Sequence, residues 1–169
     1  MYQNIVYPTT EHAYQAAKVE SLDVKTSIKN CHTPADAKDY FETHDIKPDH
    51  DWTIEKKLMV MEELLVIKFG GKEPLLTRAL LATGDAELIE GNTWNDTFWG
   101  VCNNIGENNL GRILMKVRKE LFRQKEQIIL QLELKHGNAT VANALAITPG
   151  ELYEKMIAFK IQNKEYWIS

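Results

Sequence analysis

Tyr7-Pro8-Thr9-Thr10-Glu11-His12-Ala13-Tyr14-Gln15-Ala16-Ala17-Lys18 is the stretch from which the fold is read. Thr9 is placed to cap a helix over residues 10–20, and Glu11 falls in the first turn, where the helix dipole favours a carboxylate. Ala13, Ala16 and Ala17 give that helix a face of small side chains, suited to close packing by other helices. Glu11, Gln15 and Lys18 stand at i, i+4 and i+7 and share another face. A glutamate and a lysine so placed are ordinarily a dipole-stabilised surface acid and a solvated amine. The alternative is a carboxylate for proton transfer or for stabilising an oxocarbenium ion, with an amine beside it.

Two further stretches carry chemistry. Asn92-Thr93-Trp94-Asn95-Asp96-Thr97-Phe98-Trp99-Gly100 concentrates two tryptophans and a phenylalanine in a polar segment. Its rings are either core anchors for a loop or a stacking wall for a heteroaromatic ligand, with Asp96 as the partner acid. Asn103-Asn104-Ile105-Gly106-Glu107-Asn108-Asn109 then leads into a helix starting near Leu110. Backbone N–H groups at such a start favour an anion, and Arg112, one turn in, is placed to fork onto a phosphate. Asparagine and glycine before a helix also serve capping alone.

The rest of the chain reads as mainly α, with a few short strands. Helices are expected at residues 35–41 after Pro34, at 52–69 through Ile54, Leu58, Met61 and Leu65, and at 75–82 after Pro74. Leu110, Ile113, Leu114, Val117 and Leu121 mark an amphipathic helix running towards Leu134, with Arg112, Arg118 and Lys119 on its polar side. Short strands are expected at residues 87–91 and near Phe98-Trp99. Gly137-Asn138 and then the capping box Thr148-Pro149-Gly150-Glu151 bracket two short helices, a helix-turn-helix pattern.

The 169 residues carry a net charge of −4 and ordinary hydrophobic (44%) and charged (26%) content, which suits a globular domain with a small appendage and argues against general nucleic-acid affinity. Cys31 and Cys102 lie far apart, so neither a disulfide framework nor zinc-ligand spacing is present, and neither metal nor cofactor is expected. Without a signal segment or a membrane-length apolar run, the expected setting is a reducing cytoplasm, with no membrane partner.

Taken together, these blocks resemble the NADAR (YbiA-like) family. Residues 7–18 are similar to its [WY]PTxEHxYQAxK helix, residues 52–69 to its tryptophan-led helix ending in KF, residues 80–90 (LLATGDAELIE) to its LLxTgdxxLiE segment, and residues 96–118 to its DxfWGvgxxxGxNxLGrxLMxvR signature. The blocks are colinear over residues 5–122. Two departures are visible. The family's leading strand and SNF-like segment do not precede the PTxEH block, so that part of the ligand wall is missing, supplied by another chain, or unnecessary. Residues 40–44 also lack the glycine–arginine pair often found there.

The resemblance implies a compact helical domain over residues 1–123, with a tail over 124–169 similar to Fis-type helix-turn-helix segments. It implies an N-glycosidase that separates a ribosyl phosphate or ADP-ribose from a nitrogenous base, so that the partner is a ribosylated or ADP-ribosylated small molecule or nucleobase. Glu11, Lys18 and Asp96 are then the catalytic set, Lys18 acting as charge clamp or as Schiff-base amine. His12, Tyr14, Gln15, Trp94, Phe98, Trp99, Gly100, Asn108, Asn109 and Arg112 would line the ligand. Two other readings stand beside this one: a non-catalytic ADP-ribose- or nucleotide-binding module, and a regulator contacting DNA through the tail. With five lysines against five glutamates in residues 124–169, the tail suits packing or pairing into a homodimer better than phosphate neutralisation.

Overall fold

The computed structural model of the chain describes residues 1–71 and 74–136. Six helices follow one another in that region: α1 (Thr10–Ala16), α2 (Leu22–Lys29), α3 (Pro34–Thr43), α4 (Ile54–Phe69), α5 (Pro74–Ala82) and α6 (Asn109–His136). By internal packing the chain divides into two units, Met1–Glu120 and Leu121–Ser169. The mainly helical expectation holds. The strands expected at residues 87–91 and near Phe98 do not form, and among the described residues β-pairing is confined to isolated bridges, Gly91 with Val101 among them. The paired helices expected after Gly137 lie outside the described residues. Among those described, no helix is long and apolar enough to cross a membrane.

Hydroxyl caps start the first four helices. Thr9 accepts the N–H of His12, Ser21 that of Val24, Thr33 that of Asp36 in a full capping box, and Thr53 that of Lys56. Each such cap contributes about 1 kcal/mol. Helix α1 stops short of the residue 20 expected for it. The returning chain ends it: the Asp49 N–H donates to the Lys18 carbonyl at 2.9 Å, and the Asp49 carboxylate accepts the Glu20 N–H at 2.7 Å. A longer helix would need that Glu20 N–H for the Ala16 carbonyl.

Helix α1 is the hub and packs against α2, α3 and α4. Its small face does what alanines allow: Ala16 and the following Val19 meet Ile28, Ala37 and Phe41 in a buried cluster. Helix α2 has no counterpart among the sequence expectations, because its inward side consists of Ile28 and the lysine Lys25, whose ammonium donates to Gln3 at 3.1 Å. Helix α4 buries Val60, Met61, Leu64 and Leu65 but leaves Ile54 exposed, so its apolar stripe begins later than expected. Arg118, expected on the polar side of α6, is instead buried, and its guanidinium donates to the Thr83 hydroxyl at 2.6 Å. A charge-assisted bond of that kind offsets the cost of enclosing the cation and ties α6 to the turn after α5.

Ile28 is fully enclosed where α1, α2 and α3 meet. Ile28→Ala is expected to lower the unfolding free energy by about 2–5 kcal/mol in urea titration, with the slope unchanged. A loss below about 1 kcal/mol would show that this cluster does not hold the α1 hub.

Candidate functional site

The tryptophan segment is built from the backbone outward. Asn92 and Asp96 close a turn on each other, with the Asn92 amide donating to the Asp96 carbonyl at 2.8 Å and the Asp96 N–H donating back to Asn92 Oδ1 at 3.0 Å. Asp96 Oδ1 then accepts the N–H groups of Phe98 (3.2 Å) and Trp99 (2.8 Å). The carbonyls of Thr97, Phe98, Trp99 and Gly100 are met by the N–H groups of Glu107, Asn109, Leu110 and Asn108 respectively, at 2.8–3.4 Å. The start of α6 is thereby stitched to the tryptophan segment. Gly100 is needed for this closeness, since a Cβ there would run into the Glu90 carbonyl and the Asn92 side chain. A Cβ at Gly111 would likewise strike the Leu88 carbonyl and the Asn108 amide.

Against this frame stands the polar face of α1. Tyr14 is buried, with its ring edge-on to Trp99 (centroids 5.6 Å apart) and to Trp52 (5.5 Å). Trp99 is in turn edge-on to Phe98 at 4.9 Å. Burial pushes the Tyr14 hydroxyl well above the usual phenol range, and the carboxylates of Glu11 and Asp96 push it further, partly offset by the Trp99 indole N–H. That hydroxyl therefore stays protonated at neutral pH and lies within the fields of both expected acids. Gln15 donates from Nε2 to Glu11 Oε1 at 2.6 Å, which fixes the carboxylate. The other end of the same amide, Oε1, is buried and has no hydrogen-bond partner. An acceptor left in that state costs about 1–3 kcal/mol.

Lys18 follows α1 and is half-buried, its ammonium 5.0 Å from the centroid of Phe41 and 5.8 Å from that of Tyr14. Burial lowers its pKa below the ordinary lysine value; Glu11 opposes that shift, while Lys57 and Lys38 add to it. The Lys18 ammonium lies near the Tyr14 ring, the charges of Glu11 and Asp96 act on the Tyr14 hydroxyl, and all three charged residues are half-exposed.

Other expected ligand residues serve the scaffold. His12 is 1% exposed, and its ring bridges the Thr9 hydroxyl (2.8 Å) and the Cys31 carbonyl (3.2 Å). Because a carbonyl only accepts, Nε2 is the donor to Cys31. The Asn108 amide spans Glu90 N–H (3.0 Å) and the Leu88 carbonyl (2.8 Å), while the Asn109 amide donates to the Phe98 carbonyl (2.9 Å) and to Glu107 (2.8 Å). Asn108, Asn109 and the N–H groups at the start of α6, expected to grip an anion, are hydrogen-bonded within the fold. Trp94 is 63% exposed and makes no ring contact among the described residues. Arg112 is exposed on the first turn of α6.

Two residues of the site escaped the sequence reading. Trp52 packs edge-on against Tyr14, and Lys57 on α4 lies 5.9 Å over the Phe98 ring. A tryptophan directly before the Thr53 cap was the available signal for both. Among the described residues, no three His, Cys, Asp or Glu side chains gather as a metal would require.

Residues 1–122 match the family described as the NADAR domain. The chain is similar to a riboflavin biosynthesis protein of Vibrio vulnificus (37% identity over 116 residues, 68% of this chain and 31% of that one). It is similar to an N-glycosidase of Nostoc punctiforme (35% over 123 residues, 70% and 77%). It is also similar to the N-glycosidase YbiA of Escherichia coli (32% over 120 residues, 70% and 73%). The NMR structure of E. coli YbiA superposes with a TM-score of 0.63 at 32% identity, covering 70% of either chain. The chain thus spans less than a third of the Vibrio relative but about three quarters of each N-glycosidase.

Asp96 Oδ1 is the shared acceptor of two N–H groups. Asp96→Ala should therefore cost about 1.5–3 kcal/mol in urea unfolding and shift tryptophan emission. Asp96→Asn keeps an oxygen in place and should lose clearly less. Equal losses in the two variants would mean that this turn does not depend on the acceptor.

Proposed function

Because this chain belongs to the NADAR family, we propose that it is an N-glycosidase that hydrolyses the bond between a ribosyl phosphate or ADP-ribose unit and a nitrogenous base. The reading is supported by the packing of Tyr14 on Trp99, whose backbone N–H is held by Asp96, with the Lys18 ammonium 5.8 Å from the Tyr14 ring and the Glu11 charge acting on the same hydroxyl. The names of the relatives, two of them N-glycosidases and one a riboflavin biosynthesis protein, support it.

Breaking the bond from the anomeric carbon to nitrogen leaves positive charge on the sugar ring, and the departing nitrogen needs a proton. Glu11, braced at one oxygen by Gln15, supplies negative charge beside the ring and takes the proton of an attacking water as the new C–O bond forms. Asp96 commits Oδ1 to the backbone, and with Oδ2 making no hydrogen bond among the described residues, that oxygen serves as the second acid. The protonated Tyr14 hydroxyl is a donor, and Phe98, Trp99 and Trp52 shape the wall for the base.

The depressed pKa of Lys18 supports a second route through the same site. Its neutral amine bonds to the anomeric carbon as the base leaves with a proton, and the opened sugar forms an imine. Water then adds to that imine, and breaking the carbon–nitrogen bond returns the amine. In this route the rate rises with pH through the lowered Lys18 pKa, because only the deprotonated amine attacks.

Chromatography of base released from a ribosylated pyrimidine, from NAD and from ADP-ribosylated DNA tests the proposal. Glu11→Gln should slow release by about 10²–10⁴-fold while ligand affinity stays within a few-fold of wild type. Borohydride should trap the sugar on Lys18 if the imine route operates; full activity in Lys18→Met would assign the reaction to the carboxylates alone. Ligand returned intact by the wild-type protein would replace the enzyme with a binding module.

A further inference from the structure

We propose that Lys57 is the anion anchor of this site, holding a phosphate of the ribosyl ligand from the first turn of α4. The inference extends the N-glycosidase reading and takes its ligand class from it.

A phosphorylated sugar must have its charge met somewhere, and the start of α6 is not available for that. Its N–H groups from Glu107 to Leu110 donate to the carbonyls of Thr97, Phe98, Trp99 and Gly100. The side-chain amides of Asn108 and Asn109 are likewise bound within the fold. Arg112 points from the first turn of α6 as an exposed side chain.

Lys57 stands in the right frame. Its ammonium rests over Phe98, which touches Trp99, which touches Tyr14, whose hydroxyl lies in the fields of Glu11 and Asp96. Its neighbour Lys56 is paired with Asp51. Among the described residues, no carboxylate lies within ion-pair distance of Lys57 or of Lys18. The charges acting on Lys18 are the ammoniums of Lys57 and Lys38 and the carboxylates of Glu11 and Glu42. With Lys18 itself, lysines from the end of α1, from α3 and from α4 therefore converge, and they outnumber the carboxylates among them. Lys18 and Lys57 are half-buried, rest on ring faces and repel each other, with no carboxylate in ion-pair contact with either among the described residues. A phosphate supplies a counter-ion, and a lysine meets phosphate as a point charge on a flexible stem. A neutral sugar offers nothing to this group.

Titration of the full chain by calorimetry with ribose 5-phosphate, ADP-ribose and unphosphorylated ribose tests the anchor. Lys57→Gln is expected to weaken ribose 5-phosphate and ADP-ribose by about tenfold or more, to leave ribose unchanged, and to flatten the dependence of affinity on salt. Lys57→Arg should restore most of the loss, which separates lost charge from damaged folding. A larger loss for ADP-ribose than for ribose 5-phosphate would assign the contact to the diphosphate. In turnover, KM for a phosphorylated substrate should rise with kcat nearly constant. Equal weakening of ribose and its phosphate, unchanged affinities, failure of the wild-type protein to bind either phosphate compound, or an effect confined to the pH profile of kcat would each overturn the anchor. Lys57-dependent binding of phosphate without release of any base would remove the glycosidase reading and leave the anchor standing. Base release with a KM indifferent to Lys57 would do the opposite.

Discussion

The seam between residues 97–100 and 107–110 is the constraint on which the site depends. Along it, the carbonyls of Thr97, Phe98, Trp99 and Gly100 accept N–H groups from the start of α6. The first N–H groups of a helix have no partner inside it and must be satisfied elsewhere. Here they hold an irregular, aromatic-rich segment in one conformation, without a sheet to support it. The close approach requires glycine at 100, and Asp96 fastens the segment's other end. Because Trp99 is held, Tyr14 has a fixed neighbour, and through Tyr14 the two carboxylates share one environment.

The partner surface, α1, is short and crowded, and both properties serve the site. Alanines on its inner face let three other helices approach, and the buried His12 bridges its cap to the end of α2's loop at Cys31. The Asp49 clamp stops the helix at the turn carrying Lys18. Enclosing part of a lysine is unfavourable, and ring faces of Tyr14 and Phe41 recover part of that cost without supplying a negative charge. The amine is thereby held outside an ion pair; burial and the neighbouring Lys57 and Lys38 charges favour loss of its proton, while Glu11 opposes it.

What was legible in the sequence was local. The Thr9 cap, the helix opened by Pro34, the long α4 and the start of α6 all follow from capping and periodicity within a few residues. Helix α2 was hidden because a lysine occupies part of its inward side, so its apolar stripe reduces to Ile28. Asn108 and Asn109 read equally as ligand amides or as scaffold, and their partners, Leu88, Glu90 and Phe98, are distant enough that no local pattern distinguishes the two. Lys57 gave no signal in the sequence for the same reason: the ring it covers lies on another segment of the chain.

Several side chains divide their polar atoms between holding the fold and facing the chemistry. Asp96 gives Oδ1 to two backbone N–H groups and keeps Oδ2 uncommitted. Gln15 gives Nε2 to Glu11, while its buried Oε1 finds no donor. Such groups cannot drift, because moving the reactive atom means breaking a bond that the scaffold needs. The cost is an unsatisfied acceptor and unpaired ammoniums in the resting protein, both of which destabilise the fold. A ligand bearing a donor for the amide and an anion for the lysines relieves both at once. On the proposed function, a phosphorylated, hydroxyl-bearing sugar is the kind of ligand that carries both groups, whereas a neutral aromatic ligand carries neither.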